Sequence, residues 1–290
     1  MIAIYEPIYL PGQTLSDPAF RPLRLEANYP EWREFRIIVD MYRRGMHRLQ
    51  RFTGLMSPKF GAKTGISGKL FIDFIGDNAD ADVCFINPFA YLSYISFNVW
   101  TQGEVYHPGL KKRAQDLLDS SRVDLEIENV ARHGPQVLCY CNFWVGTERF
   151  WDDYVGGILL PIAEFLETHP ESAIARAVFE QKTPPDFVAF LPYIVERLFS
   201  SYLSRRGSTL ICRDYPMDPV ESCLTDFERR AVMEIRDEID AADLVDNFPD
   251  ELRAKMDTLC KSWRNFTDAY YADRPHPHNV SPPTGGPGRC

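Results

Sequence analysis

Residues 83–86 read Val-Cys-Phe-Ile, an unbroken apolar run between Asp80-Ala-Asp82 and Asn87-Pro-Phe89. A strand with one wet face alternates apolar and polar residues, whereas a short run without alternation is covered on both sides. Helices must then lie on either face of the sheet that holds this strand. The expectation is an α/β chain with a central sheet.

The surrounding pattern agrees. IAIYEPIYL at the N-terminus reads as a first strand. Pro30-Glu31-Trp32 opens a helix whose apolar positions are Trp32, Phe35, Ile38, Val39 and Tyr42, with Gly45 weakening or ending it. Short helices are expected over 69–75 and from Pro108 to Leu118, and a second central strand over 135–142, with Cys139 and Cys141 on one face. Thr147 is a good N-cap for a long helix running through Phe150, Tyr154, Ile158, Ile162 and Leu166. A further helix spans Leu191 to Arg205, and Ser208 to Cys212 is the last strand.

The pattern then changes. Thr225-Asp-Phe-Glu228 is a capping box opening a charged helix, and a second helix runs from Pro249 to about Tyr271. The expected organisation is an α/β body over 1–215, a helical hairpin over 216–272 and a disordered tail, rich in Pro and Gly, over 273–290.

Bulk properties limit the function. No apolar run approaches the roughly 18 residues of a membrane span, and the N-terminus lacks a basic, then apolar, leader. Seven cysteines, an odd number without a CxxC pair, favour neither a disulfide framework nor a zinc ribbon, which suits a reducing cytoplasm. The net charge of −9 argues against nucleic acid as a partner. Yet Glu31 to Lys69 carries nine basic and three acidic side chains, so a +6 segment sits on an otherwise acidic chain. Such a segment is a candidate anion site, or else a solvated helix face with acidic neighbours.

Within it, TGLMSPKFGAKTGISG (53–68) is neither a Walker A loop nor a GxGxxG fingerprint. Its glycines still let backbone N–H groups approach a ligand, and Lys59 and Lys63 offset diphosphate charge. Asp80-Ala-Asp82 is a literal DxD, but it precedes its strand, so both carboxylates read as turn residues. The segment YISFNVWTQGEVYHPGL crowds Trp100, Glu104 and His107 together, the mix of aromatic and polar groups that a sugar needs. Glu104 or His107 is placed there to act as a general base. Glu196 and Arg197 lie off the apolar centre of their helix, as solvated charges would.

Taken in order, GL-x-S-x-KF-x-x-KTGI, DVCFINPF, NVWTQGE-x-x-HPGL, CNFWVGTERFWDDY and VERLFSSYL resemble bacterial proteins of surface-polysaccharide (capsule or O-antigen) assembly. More distantly, the chain is similar to galactofuranosyltransferase domains of GT-A-like fold, over residues 1–215. The resemblance implies a GT-A-like (Rossmann-like) mixed sheet flanked by helices, with the C-terminal hairpin appended. It implies a cytoplasmic glycosyltransferase, peripheral to the inner membrane through partners, that uses a nucleotide-diphosphate sugar such as a UDP-sugar and a glycan or lipid-linked glycan acceptor. Ser57, Lys59, Phe60, Lys63 and Asn87 would serve the donor. Trp100, His107, Asn142, Trp144 and Arg197 would serve the acceptor, and Glu196 or Glu104 would be the catalytic carboxylate. Mn2+ or Mg2+ is the cofactor such chemistry can use, with the displaced DxD leaving its ligands unassigned. The alternative is a non-catalytic glycan-binding or assembly protein that retains the fold.

Overall fold

The computed structural model describes residues 1–27, 29–180, 188–206 and 209–277. The apolar run does become a fully buried strand, β4 (Val83–Phe85). Its neighbours in the chain are β1 (Ile2–Ile8), β2 (Arg21–Arg24), α1 (Glu34–Arg43), β3 (Phe52–Leu55), α2 (Phe60–Thr64) and α3 (Gly68–Asp77). After β4 come α4 (Leu92–Ile95), α5 (Val99–Tyr106), α6 (Leu110–Ser120) and β5 (Trp144–Gly146). A continuous helix then starts as α7 (Glu148–Phe150), widens to π geometry over Trp151–Leu159 and ends as α8 (Leu160–Thr168). The remainder is α9 (Ala173–Phe179), α10 (Phe190–Arg206), β6 (Cys212–Asp214), α11 (Asp226–Leu244) and α12 (Asp250–Tyr270). Among the described residues no helix is long and apolar enough to cross a membrane.

The six strands form one mixed sheet in the order β2-β1-β3-β5-β4-β6. β1 pairs parallel with β2 and β3, β4 pairs parallel with β6, and β5 lies antiparallel between β3 and β4. Only β5 is reversed. The C-terminal ends of the other five strands therefore share one sheet edge with the residues that enter β5.

Side-chain alternation explains why the sheet is dry on both sides. Val83 and Phe85 point into a large core with Trp144, Trp151, Tyr154 and Phe199, under α1 and α10. Cys84 and Ile86 point the other way, into a smaller core with Ile4, Phe60, Phe71 and Phe143, under α2 and α3. Gly54 sits where β3 crosses β5 closely; a Cβ there would come within 2.6 Å of the Trp144 carbonyl oxygen.

The expected strand over 135–142 is not formed. Cys141 and Asn142 have φ of 69° and 53°, which no strand accommodates, and the pairing residues begin only at Trp144. Side chains of α10 satisfy this backbone instead. Ser200 Oγ accepts the Cys139 amide (2.9 Å), and Glu196 Oε1 accepts the Cys141 amide (2.8 Å). The last strand also lies later than expected, at Cys212–Asp214, and Ser208 falls outside the described residues. The first helix begins at Glu34 rather than at Pro30.

The capping box is present as read: Thr225 Oγ1 accepts the Glu228 amide and Glu228 Oε2 accepts the Thr225 amide. The second carboxylate oxygen of Glu228 accepts from Trp263 Nε1 (2.9 Å), which ties α11 to α12. Val232, Ile235, Met256, Cys260 and Trp263 join the large core, so the hairpin packs directly on the body. Of the tail, residues 278–290 lie outside those described.

His133 anchors the long segment between α6 and β5. It is fully buried, and its Nδ1 accepts the Val99 amide at 3.4 Å. Burial, helped by neighbouring Arg132, lowers its pKa from 6.5 to about 3. The unfolded chain therefore binds a proton that the folded chain refuses. The resulting contribution to stability is complete above about pH 6.5 and shrinks as pH falls toward 3. Urea denaturation between pH 7 and pH 4 is expected to show a shallower acid loss in His133→Asn than in the parent chain. Parallel slopes would contradict this.

Candidate functional site

Ligand sites of open α/β sheets form beyond the carboxyl ends of the strands. At that edge, β3 runs into Ser57-Pro58-Lys59, where Ser57 Oγ accepts the Lys59 amide (3.3 Å) and turns the chain into α2. One helical turn later Lys63 extends back over the edge. Its Nζ lies 3.1 Å from Cys141 Sγ and 6.0 Å from the centre of the Phe89 ring. Burial disfavours the Lys63 ammonium, yet the surrounding negative groups outweigh it and the pKa is raised. Burial pushes the Cys141 thiol up to about 12, so at neutral pH the negative neighbours of Lys63 are the carboxylates of Glu196 and Glu34.

Lys59 behaves oppositely. Burial lowers its pKa, and the positive charges of Lys63 and Arg33 lower it further. Arg33 immediately precedes α1 in a strained conformation (φ 49°, ψ −138°), and no side chain among the described residues caps that helix. Tyr9, just past the end of β1, has its pKa raised by burial and by Glu34. The imidazole of His276, after α12, is shifted down by burial and by both lysines, despite an opposing pull from Glu228. Three cations thus converge on one sheet edge with the N-terminus of α1.

Further along the edge, at the ends of β4 and β6, lies a cavity of about 70 Å³ lined by residues including Asn87, Ser93, Tyr94, Pro135, Asp214 and Met217. Asn87 closes a tight turn, with its Oδ1 accepting the Phe89 amide at 3.1 Å. Asp214 ends β6, and burial raises its carboxyl above the ordinary aspartate value. A wider surface depression of about 450 Å³ lies at the opposite edge, between Met1, Arg48, Arg51 and Arg149. It has the volume but not the position of a strand-end site.

The expected residues separate into two groups. Ser57, Lys59, Lys63, Asn87, Asn142 and Glu196 all lie at the C-terminal edge. Phe60, Trp100 and Trp144 do not reach it, because each is buried in the core. Phe60 packs on Phe20 and Phe143, Trp144 on Trp151 and Phe199, and Trp100 Nε1 donates to Ser201 Oγ at 2.7 Å. Glu104 caps α6, accepting the amides of Gly109 (2.6 Å) and Lys111 (2.9 Å), so both of its oxygens are engaged in holding a helix terminus. His107 stacks on Tyr193 with ring centres 3.8 Å apart.

Arg197 is not solvated either. It is 2% exposed and donates to the carbonyls of Val99 and Tyr193 (both 2.9 Å) and to Gln102, which locks α10 to α5. The helical wheel places Arg197 off the apolar centre, as a solvated charge, but the Gln102 and Val99 groups that draw it inward come from a different helix. Asp80 and Asp82 stand at the other end of β4. Asp80 pairs with Arg213 (3.0 Å) and Asp82 accepts the Ile211 amide (2.9 Å), as turn residues would. Among the described residues no group of three or more His, Cys, Asp or Glu is arranged to hold a metal ion.

Three members of the edge were not singled out from sequence as site residues: Arg33, Glu34 and Asp214. The first two were legible only as part of the basic segment. Asp214 was hidden because the last strand was expected to end two residues too early. Comparison with models of known protein families, with curated proteins and with solved structures finds no match.

Two consecutive left-handed residues, Cys141 and Asn142, place the Cys141 thiol against Lys63. Asparagine tolerates that conformation, whereas a β-branched residue does not. Asn142→Val is expected to destabilise the fold by about 1–2 kcal/mol in urea denaturation, and Asn142→Gly to be neutral or stabilising. Equal stability of Val and Gly variants would contradict the geometry at this turn.

Proposed function

We propose that this chain is a glycosyltransferase of GT-A-like fold, which moves a sugar from a nucleotide-diphosphate donor to a glycan acceptor in bacterial surface-polysaccharide synthesis. The observation that carries the reading is the meeting of Arg33, Lys59, Lys63 and the uncapped N-terminus of α1 at the carboxyl edge of the sheet. A diphosphate leaving group gains negative charge as the glycosidic bond to phosphate breaks. Fixed cations and helix N–H groups stabilise that charge without reorganising. The mixed sheet with one reversed strand supports the fold assignment.

In this mechanism Lys63 is the central cation. Glu196 keeps it charged while fixing the turn before β5 through the Cys141 amide. Lys59 and Arg33 repel one another and Lys63, so the three are held apart by the fold and gain stability when an anion enters between them. Asp80 and Asp82 stand at the opposite end of β4 from these cations, so they are not the ligands of a donor-bound Mn2+ or Mg2+, and no step is assigned to a metal. The alternative is a non-catalytic glycan-binding or assembly protein that retains the fold; Trp100 and Trp144 are buried, so neither reading draws on them for the acceptor.

Nucleoside diphosphates should stabilise the folded protein. At ten times Kd the gain is about 1.4 kcal/mol, on the order of 3 °C in a thermal-shift assay with UDP, GDP or CDP. Lys63→Ala is expected to remove most of that shift, and Lys59→Ala part of it. Transfer from a panel of sugar nucleotides should fall in the same order. A shift that is undiminished in Lys63→Ala would remove the edge lysines from the mechanism.

A further inference from the structure

Glu196 is a poor choice for the group that accepts a proton. One of its oxygens already accepts the Cys141 amide, the other lies 3.8 Å from Arg197 Nη1, and Lys63 faces the carboxylate. Its oxygens are thus committed to partners other than an acceptor hydroxyl. It also stands among the cations, where the leaving group belongs. Glu104 is engaged by two backbone amides on another helix.

Asp214 has the opposite surroundings. It ends β6 in register with Phe85, so it lies at the same edge as Asn87, and it lines the cavity between β4, α4 and the chain that follows β6. No side chain among the described residues hydrogen-bonds or ion-pairs with its carboxylate. The adjacent Arg213 is turned to Asp80, 3.0 Å away. Along the edge the order is β5, β4, β6, with strands about 4.8 Å apart. Asp214 therefore stands roughly 10 Å along the edge from the turn that holds Lys63. That separation leaves room for a phosphate and one sugar ring between cation and carboxylate. The cavity itself, about 70 Å³, admits the hydroxyl-bearing margin of a sugar, with Pro135 and Met217 as apolar walls and Ser93 and Tyr94 as polar ones.

We propose that Asp214 is the general base of the transfer and that the cavity beside it receives the acceptor hydroxyl. The proposal rests on the glycosyltransferase reading. As the acceptor oxygen attacks the anomeric carbon, its proton passes to Asp214. The bond from that carbon to the phosphate oxygen breaks, and its electron pair leaves with the nucleoside diphosphate, against Lys63, Lys59 and Arg33. Asp214 then returns the proton to water. Attack from the β6 side with departure on the β5 side inverts the anomeric configuration.

The charged and titratable groups around Asp214 are few. Among the described residues they include Arg213, Cys212 and Tyr215 on its own segment and Tyr94 from α4, whose hydroxyl donates to Asp240 and has its pKa raised by burial to about 12. Burial outweighs the opposing effects of its own backbone amide and of Arg213, and raises its carboxyl toward the range in which a general base works.

The test uses the full chain, the sugar nucleotide that gives the highest turnover in a donor panel, and the variants Asp214→Asn, Asp214→Glu and Glu196→Gln. Asp214→Asn is expected to lower kcat by at least about 100-fold while keeping the nucleoside-diphosphate thermal shift, which also shows that it is folded. Asp214→Glu should restore part of the rate. The acid limb of the wild-type kcat/KM profile should be missing from the residual activity of Asp214→Asn, and NMR of the first-formed product should show inversion. A kcat for Asp214→Asn within threefold of wild type, or a product of retained configuration, overturns the assignment of the base alone. Absence of any nucleoside-diphosphate shift in the wild type overturns the glycosyltransferase reading and this base with it.

Discussion

The arrangement of the whole edge depends on α10 acting as a partner for backbone that has no sheet partner. Glu196 and Ser200, one helical turn apart, bind the amides of Cys141 and Cys139. Arg197 and Ser201, on the neighbouring stripe, bind Val99, Gln102 and Trp100 from α5. A buried peptide group without a partner costs about as much as a lost hydrogen bond, so these side chains decide where residues 139–142 can rest. With that turn fixed, β5 enters the sheet reversed, and Cys141 is presented to Lys63.

The same helix explains how positive charge is held at a partly covered edge. Lys63 retains its proton against burial because Glu196 and Glu34 lie near it, while burial and the positive charges of Lys63 and Arg33 lower the pKa of Lys59. A site prepared in this way is complementary to an anion carrying more than one charge. Two strands further on, the edge changes character, from cations to a half-buried carboxylate beside a small cavity. A leaving group and an attacking group require opposite electrostatics of this kind.

Much of the architecture was legible because burial leaves a direct mark on sequence. The unbroken run at Val83 marked a strand dry on both faces, and Thr225 with Glu228 marked a helix start to the residue. What could not be read were features that depend on distant partners. Residues 135–142 carry a strand-like apolar pattern, but their backbone is satisfied by α10, some 55 residues or more away in sequence. Trp100 and Trp144 look like sugar platforms until Ser201 and Phe199 cover them. Lys59 and Lys63 stood out through the glycine-rich stretch and the local excess of basic residues that hold them. The value of Asp214 depends on where β6 stops, and a three-residue strand gives little periodicity from which to locate its end.

A crystal structure of the chain with a bound nucleoside diphosphate would test the central claim most directly, since it asks where an anionic ligand rests. The account predicts both phosphates between the start of α1 and the Lys63 ammonium, with the outer phosphate directed along the edge toward Asn87 and Asp214. Phosphates bound instead in the depression between Arg48, Arg51 and Arg149, at the other end of the strands, would contradict it.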